Sequence, residues 1–218
     1  MPTPAAADAS PGASGHGAPS GGDKSLDPAD EPLGDEPFEP EVLSSDVVYN
    51  GWVWDVRSDR VAYGDGEIIR EYVAHTGAVA VVAIDEQERV LLIQQYRHPI
   101  RHRDWELPAG LLDVPGEDPL LAAQRELAEE ADIIADHWEH LVSSWTTPGG
   151  NDEMIHVYLA TGISVAEAAH AREAEEADIR VEWVPLAEAA DAVLEGRMHN
   201  GILSIGVLAA ERRLRARG

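Results

Sequence analysis

The chain has 218 residues, 41 of them acidic against 16 Lys and Arg, giving a formal net charge of −25, and it contains no cysteine. This length suits one domain of ordinary size with a tail and a sizeable core; the acidity disfavours nucleic acid and anionic membranes as partners, and the absence of Cys excludes disulfides, a thiol nucleophile and zinc–thiolate sites. No apolar run approaches the roughly 18 residues of a membrane span, and the N-terminus lacks the basic start and apolar core of a secretory signal, so a cytoplasmic protein is expected.

Residues 1–42 are mostly Ala, Pro, Gly, Ser and acidic residues, with one Lys. They hold too few large apolar side chains to offset the entropy of ordering, and a disordered acidic tail is expected. The texture changes at Ser45. Asp46–Tyr49 and Trp52–Tyr63 read as strands, Gly64-Asp65-Gly66 as a hairpin turn, and Ile68–His75 as a returning strand. Together they predict an N-terminal antiparallel strand subdomain over residues 43–76, followed by a larger domain over 77–218. Gly77–Ile84 is a continuous apolar run, which predicts a strand buried on both faces. Asp85–Glu88 turns the chain and Val90–Arg97 pairs back. Beyond the central stretch, Leu141–Trp145, Ile155–Ala160 and Ile179–Val184 read as strands. Pro185 opens a helix over Leu186–Leu194, ended by Glu195-Gly196. Asn200 starts the last helix, with Ile202, Leu203, Ile205, Gly206 and Leu208 as its expected buried side. Arg212–Arg217 places cations at the negative end of that helix. Strands on both sides of a central helix, with a helix after the last strand, predict an α+β sandwich.

The centre of the chain is Trp105–Ile133, WELPAGLLDVPGEDPLLAAQRELAEEADI. Gly110 and Gly116 flank a tight apolar loop. Asp118-Pro119 is a helix start, since Asp can cap free amides and Pro suits the first turn. Leu120, Ala123, Leu127 and Ala131 then recur at helical spacing and predict one buried stripe. Glu126 and Glu130 lie one turn apart, about 40° around the axis, with Glu129 beside them. Like charges at this spacing weaken an isolated helix. Hard divalent cations, which prefer carboxylate oxygens and keep positions for water and phosphate, would relieve the repulsion. The same pattern, taken alone, also describes a solvated acidic face.

The full stretch resembles the Nudix box, the signature of the Nudix hydrolase family, through Gly110, Glu117, Arg125, Glu126, Leu127, Glu129, Glu130, Asp132 and Ile133. It departs at two points: six residues rather than five separate Gly110 from Glu117, and Asp132 replaces the last Gly. Asp tolerates the left-handed backbone expected there better than most residues, at some cost. The resemblance implies the Nudix fold, an α/β/α sandwich with the N-terminal strands appended, from about Asp46 to the C-terminus. It implies hydrolysis of a nucleoside diphosphate linked to another group, with Mg2+ or Mn2+ held by Glu126 and Glu130, by Glu129 as an accessory, and by the carbonyl of Ala109. Arg125 would pair with Glu117 or Glu129 and fix the carboxylates.

Pro148, 15 residues beyond Ile133 in the loop Thr147-Pro148-Gly149-Gly150, resembles the subgroup that cleaves ADP-ribose to AMP and ribose 5-phosphate. By that likeness Thr147 and Glu153 contact the substrate near its terminal ribose and phosphates, and Arg97 binds phosphate, a task suited to a guanidinium. Leu111 lends backbone contacts. Arg70, assisted by Asp59-Arg60, meets the adenosine end from the partner subunit of a homodimer built on the N-terminal strands. A second reading keeps the chemistry and changes the substrate to another nucleotide sugar, a dinucleotide or a nucleoside triphosphate. A third, a catalytically silent ligand sensor, is opposed by the complete acidic triad. The water nucleophile needs a base, which the resemblance puts on the loop 171–178, with Glu175 as first choice and Glu176 as second. Glu175→Gln is expected to lower kcat strongly and barely change KM in steady-state assays; unchanged turnover would move the role to Glu176 or Glu173.

Overall fold

The computed structural model describes residues 33–166 and 179–217. Residues 1–32 of the expected tail, and Glu173, Glu175 and Glu176, lie outside the described residues. Ten strands and three helices occur among those described: β1 (Val42–Tyr49), β2 (Asp55–Tyr63), β3 (Gly66–Ala74), β4 (Ala78–Ala83), β5 (Arg89–Arg97), β6 (His102–Glu106), β7 (Ala109–Leu111), α1 (Pro119–Ala131), β8 (Ile133–Trp145), β9 (Met154–Val165), β10 (Arg180–Pro185), α2 (Leu186–Leu194) and α3 (Gly201–Arg215). They form three sheets, ordered β1-β2-β3, β10-β5-β6 and β7-β4-β9-β8. Only β4 and β9 are parallel; the remaining strand pairs are antiparallel.

Strand β4 is the hinge of the α+β sandwich. Ala78, Ala80 and Val82 point into one core with Leu203, Val207 and Ala210 of α3. Val79, Val81 and Ala83 point into the other with Ala122, Ala123 and Leu127 of α1. All six β4 residues are buried, as a strand covered on both faces requires, so it reads as an unbroken apolar run. Helix α3 approaches closely at Gly206, where a Cβ would fall 2.6 Å from Leu107 Cδ1 and 3.0 Å from Val82 Cγ2.

Helix α1 begins where expected. Asp118 accepts the Leu120 N–H at 2.8 Å, and Pro119 takes the first position. Asp132 ends it in the left-handed region, at φ 55° and ψ 36°, with its N–H on the Ala128 and Leu127 carbonyls. This is the strained place that a glycine would fill without cost. Two helix faces are rotated from expectation. In α1 the buried positions are Ala122, Ala123, Leu127 and Glu130, while Leu120 and Ala131 are half-buried. In α3 they are Leu203, Gly206, Val207 and Ala210, while Ile205 is exposed. In both, the small residues mark where the helix comes nearest its sheet.

Three stretches that were not expected as strands pair into sheets: β6, β7 and the first half of β8. Each lies at a sheet edge. An edge strand needs little apolar alternation and is commonly charged on its open side, as in His102-Arg103-Asp104 and Asp136-His137. The sheet β1-β2-β3 leaves Val42, Val48, Tyr49 and Ile69 exposed, as is Trp52 in the connection between β1 and β2. Among the described residues no helix is long and apolar enough to cross a membrane.

Candidate active site

The segment between β6 and α1 returns the chain so that β7 lies against Glu126 and Glu130 in the C-terminal half of α1. The Ala109 N–H donates to Glu130 Oε2 at 2.9 Å across 21 residues of sequence. Gly110 then packs on Glu126 so closely that a Cβ would sit 1.9 Å from Glu126 Cδ and 2.1 Å from its Oε1. Glycine is needed there for lack of a side chain, since the space is filled by a carboxylate. Arg125 gathers the rest. Its Nε and Nη2 donate to the two oxygens of Glu117 at 3.2 and 3.1 Å, and its Nη1 donates to Glu126 Oε1 at 2.6 Å and Glu129 Oε2 at 3.2 Å. The expected pairing with Glu117 or Glu129 is thus a pairing with both, and with Glu126 as well.

Burial raises the pKa of Glu126, Arg125 opposes the rise, and Glu129 and Asp113 add to it. The guanidinium of Arg125 is held more firmly charged by its hydrogen bonds to Glu117 and by the field of Glu126, against the cost of its own burial. Three carboxylates on the guanidinium, with Glu130 beside them on the Ala109 amide, leave a formal charge of −3 in this group. Among the described residues, no three His, Asp or Glu side chains close around a common point. Arg125 draws Glu126 and Glu129 together, and the Ala109 amide orients Glu130. The donors are hard oxygens with excess negative charge, a set that fits Mg2+ or Mn2+ rather than a softer ion.

A cavity of about 1040 Å³ opens over this group. Of the residues expected in the site, Ala109, Glu126, Glu130, Arg97, Leu111, Thr147 and Glu153 line it. Glu129 does not, and is turned to Arg125. Arg70 is exposed on β3, away from this cavity, with its guanidinium on the Ile69 carbonyl at 2.8 Å. Asp59 accepts the Tyr72 hydroxyl at 3.1 Å, and Arg60 pairs with Glu67 at 3.5 Å.

Motif reading passed over residues that support or wall this cavity, among them Glu106, Trp54 and His75. Arg97 is gripped by Glu106 through two 2.7 Å bonds, and Gln95 donates to the same carboxylate at 3.3 Å. Glu106 is buried, so this two-point pair sets the guanidinium's direction. The available signal was a single Glu within the apolar run Trp105-Glu106-Leu107-Pro108, since a charge among apolar neighbours must find a partner. Trp54 and His75 form another wall, their ring centroids 5.0 Å apart and 26° from parallel. The loop 146–153 is tied to β3 by Val73 N–H on the Gly150 carbonyl at 2.9 Å and by His75 N–H on Asp152 Oδ1 at 2.7 Å. These contacts join distant segments and leave no local pattern.

Residues 74–202 match the NUDIX domain. The chain is 47% identical over 170 residues to an ADP-ribose pyrophosphatase of Mycobacterium tuberculosis, covering 78% of this chain and 82% of that protein. It is 36% identical over 171 residues to a methanol dehydrogenase activator of Bacillus methanolicus, covering 78% and 91%. A crystal structure of an ADP compounds hydrolase superposes with a TM-score of 0.71 at 19% identity, over 85% of this chain and 99% of that one. At that identity the superposition speaks for the fold alone.

The buried charge of Glu126 opposes folding. Its raised pKa means that the folded state favours the protonated form, so this group's contribution to stability is lost as pH rises through the folded pKa. Glu126→Gln is therefore expected to raise the thermal midpoint in EDTA at pH 7.5, while activity with divalent metal falls. The gain should shrink as pH is lowered and the native carboxyl takes up its proton. A midpoint unchanged or lowered at pH 7.5 would contradict the assignment.

Proposed function

The chain belongs to the NUDIX family, and on that premise we propose that it hydrolyses ADP-ribose at the pyrophosphate, giving AMP and ribose 5-phosphate. One observation carries the reading: the box carboxylates Glu126 and Glu130 share a single cavity with Arg97 and the 147–153 loop. The cavity's size lies at the upper end of the range for small-molecule sites, which suits a two-part substrate. The metal dependence general to the family accords with the anionic donor set. We assign Mg2+ as the ion, with Glu126, Glu130 and the Ala109 carbonyl as ligands and Glu129 in support. Such an ion would offset the charge of the bridging phosphates and favour attack by water.

The protein's own groups have the following roles in this reading. Arg97, held by Glu106, receives a phosphate. Leu111 and Thr147 line the path, and Glu153 meets the sugar end. Arg125 acts through the carboxylates it orders. Water adds to one phosphorus, the bridging P–O bond breaks, and one proton is released; Glu175 is proposed as its acceptor, with Glu176 as the alternative. The exposed apolar sheet β1-β2-β3 supports a homodimer, and the position of Arg70 outside its own cavity supports its service to the adenosine end of the partner's site. Residues 43–76 are thereby proposed as the dimerisation subdomain and 77–218 as the hydrolase domain.

A panel of ADP-ribose, other nucleotide sugars, a dinucleotide and a nucleoside triphosphate, each with Mg2+, Mn2+ or EDTA, tests the proposal. ADP-ribose should give the highest kcat/KM, AMP and ribose 5-phosphate should form in equal amounts, EDTA should abolish turnover, and light scattering should show a dimer. Preference for the triphosphate, or turnover that survives EDTA, would contradict it.

A further inference from the structure

We propose that His75 is a positioning residue that sets the Glu153 carboxylate to read the hydroxyls of the substrate's terminal sugar. The inference rests on the ADP-ribose reading and deepens it. Glu153 faces the cavity, and its side chain is 15% exposed. Oε2 accepts the Thr146 hydroxyl, while Oε1 faces His75 Nε2 at 3.5 Å. A carboxylate offers only acceptors, about two at each oxygen. It attracts hydroxyl donors and repels phosphate oxygens. Unlike Glu126 and Glu130, which belong to the anionic group around Arg125, Glu153 stands on the 147–153 loop against His75, and in the ADP-ribose reading it takes the sugar end while Arg97 takes a phosphate.

His75 has few ways to move. Its side chain is only 6% exposed. Its Nδ1 accepts the Gly77 N–H at 3.0 Å, which leaves the proton of the neutral ring on Nε2, the atom that faces Glu153. Gly77 reaches that position at φ +86°, a conformation that side chains disfavour. Trp54 covers the ring face. The backbone N–H of His75 binds Asp152, next to Glu153 in sequence, at 2.7 Å. One residue thus fixes the acceptor's side chain and the loop that carries it. None of these bonds touches Glu126 or Glu130, so the expected effect lies in sugar binding and not in the cleavage step.

The test compares ADP-ribose with the methyl ester of ADP, which keeps the pyrophosphate and lacks the terminal sugar. His75→Phe preserves the stack on Trp54 and removes both ring nitrogens. It should raise KM for ADP-ribose about tenfold, the loss expected when a donor to a charged acceptor is removed, and alter KM for the methyl ester less than twofold. His75→Gln, which restores an N–H, should recover most of that loss. In a Glu153→Gln background, His75→Phe should add nothing further. Equal losses on both substrates, no recovery with Gln, or additivity with Glu153→Gln would each overturn the proposal while leaving the ADP-ribose reading intact. If the wild-type protein cleaves the methyl ester and not ADP-ribose, the reading itself fails and the proposal with it.

Discussion

Between α1 and β7, Glu117, Glu126 and Glu129 share one guanidinium, while Glu130 and Glu126 are pressed against the backbone of Ala109 and Gly110. Bringing like charges into a half-buried site is unfavourable. Burial pushes the Glu126 pKa upward in consequence. Nothing in the packing of α1 asks for this arrangement, since its core contacts come from Ala122, Ala123 and Leu127. Arg125 relieves part of this cost, and a bound divalent cation would relieve more, the usual relation between a strained site and its function.

The rest of the fold serves that helix. Strand β4 supplies its apolar floor and pairs with β7, whose register sets Ala109 opposite Ala80 and Gly110 opposite Val79. The strand is covered on its other face by α3, which comes close through Gly206. Strands β5 and β6 bring Gln95 and Arg97 to the same cavity, with Glu106 buried behind them, through a register that places Ile93 opposite Glu106. The cavity's far wall comes from β3 and the loop 146–153, joined through Val73 and His75. In the proposed reading the phosphate end and the sugar end of the substrate fall to separate parts of the scaffold, so that changes in one would be read without the other.

How much of this was legible in the sequence follows the range of each interaction. The start of α1 is written locally in Asp118-Pro119, and its box carboxylates in spacing along one helix. The left-handed end at Asp132 was legible for the same reason. Strand β4 was visible because burial on two faces demands an unbroken apolar run. The edge strands β6, β7 and β8 were harder, since one open side frees them from that demand. His75 and Glu106 were passed over because their partners lie elsewhere in the chain: the His75 amide meets Asp152 across 77 residues. The exposed face of α3 was misplaced at Ile205 because Gly206, not the larger side chains, decides where that helix touches its sheet.

The most direct test of the central claim removes one negative charge without changing shape. Glu130→Gln, checked for an intact fold by its melting profile, would be assayed on ADP-ribose with saturating magnesium. If the carboxylate cluster gathers the cation that promotes cleavage, the rate should fall on the order of 100-fold or more, equivalent to about 2.7 kcal/mol of transition-state stabilisation. A correctly folded Glu130→Gln protein that cuts the pyrophosphate at the wild-type rate would contradict the account.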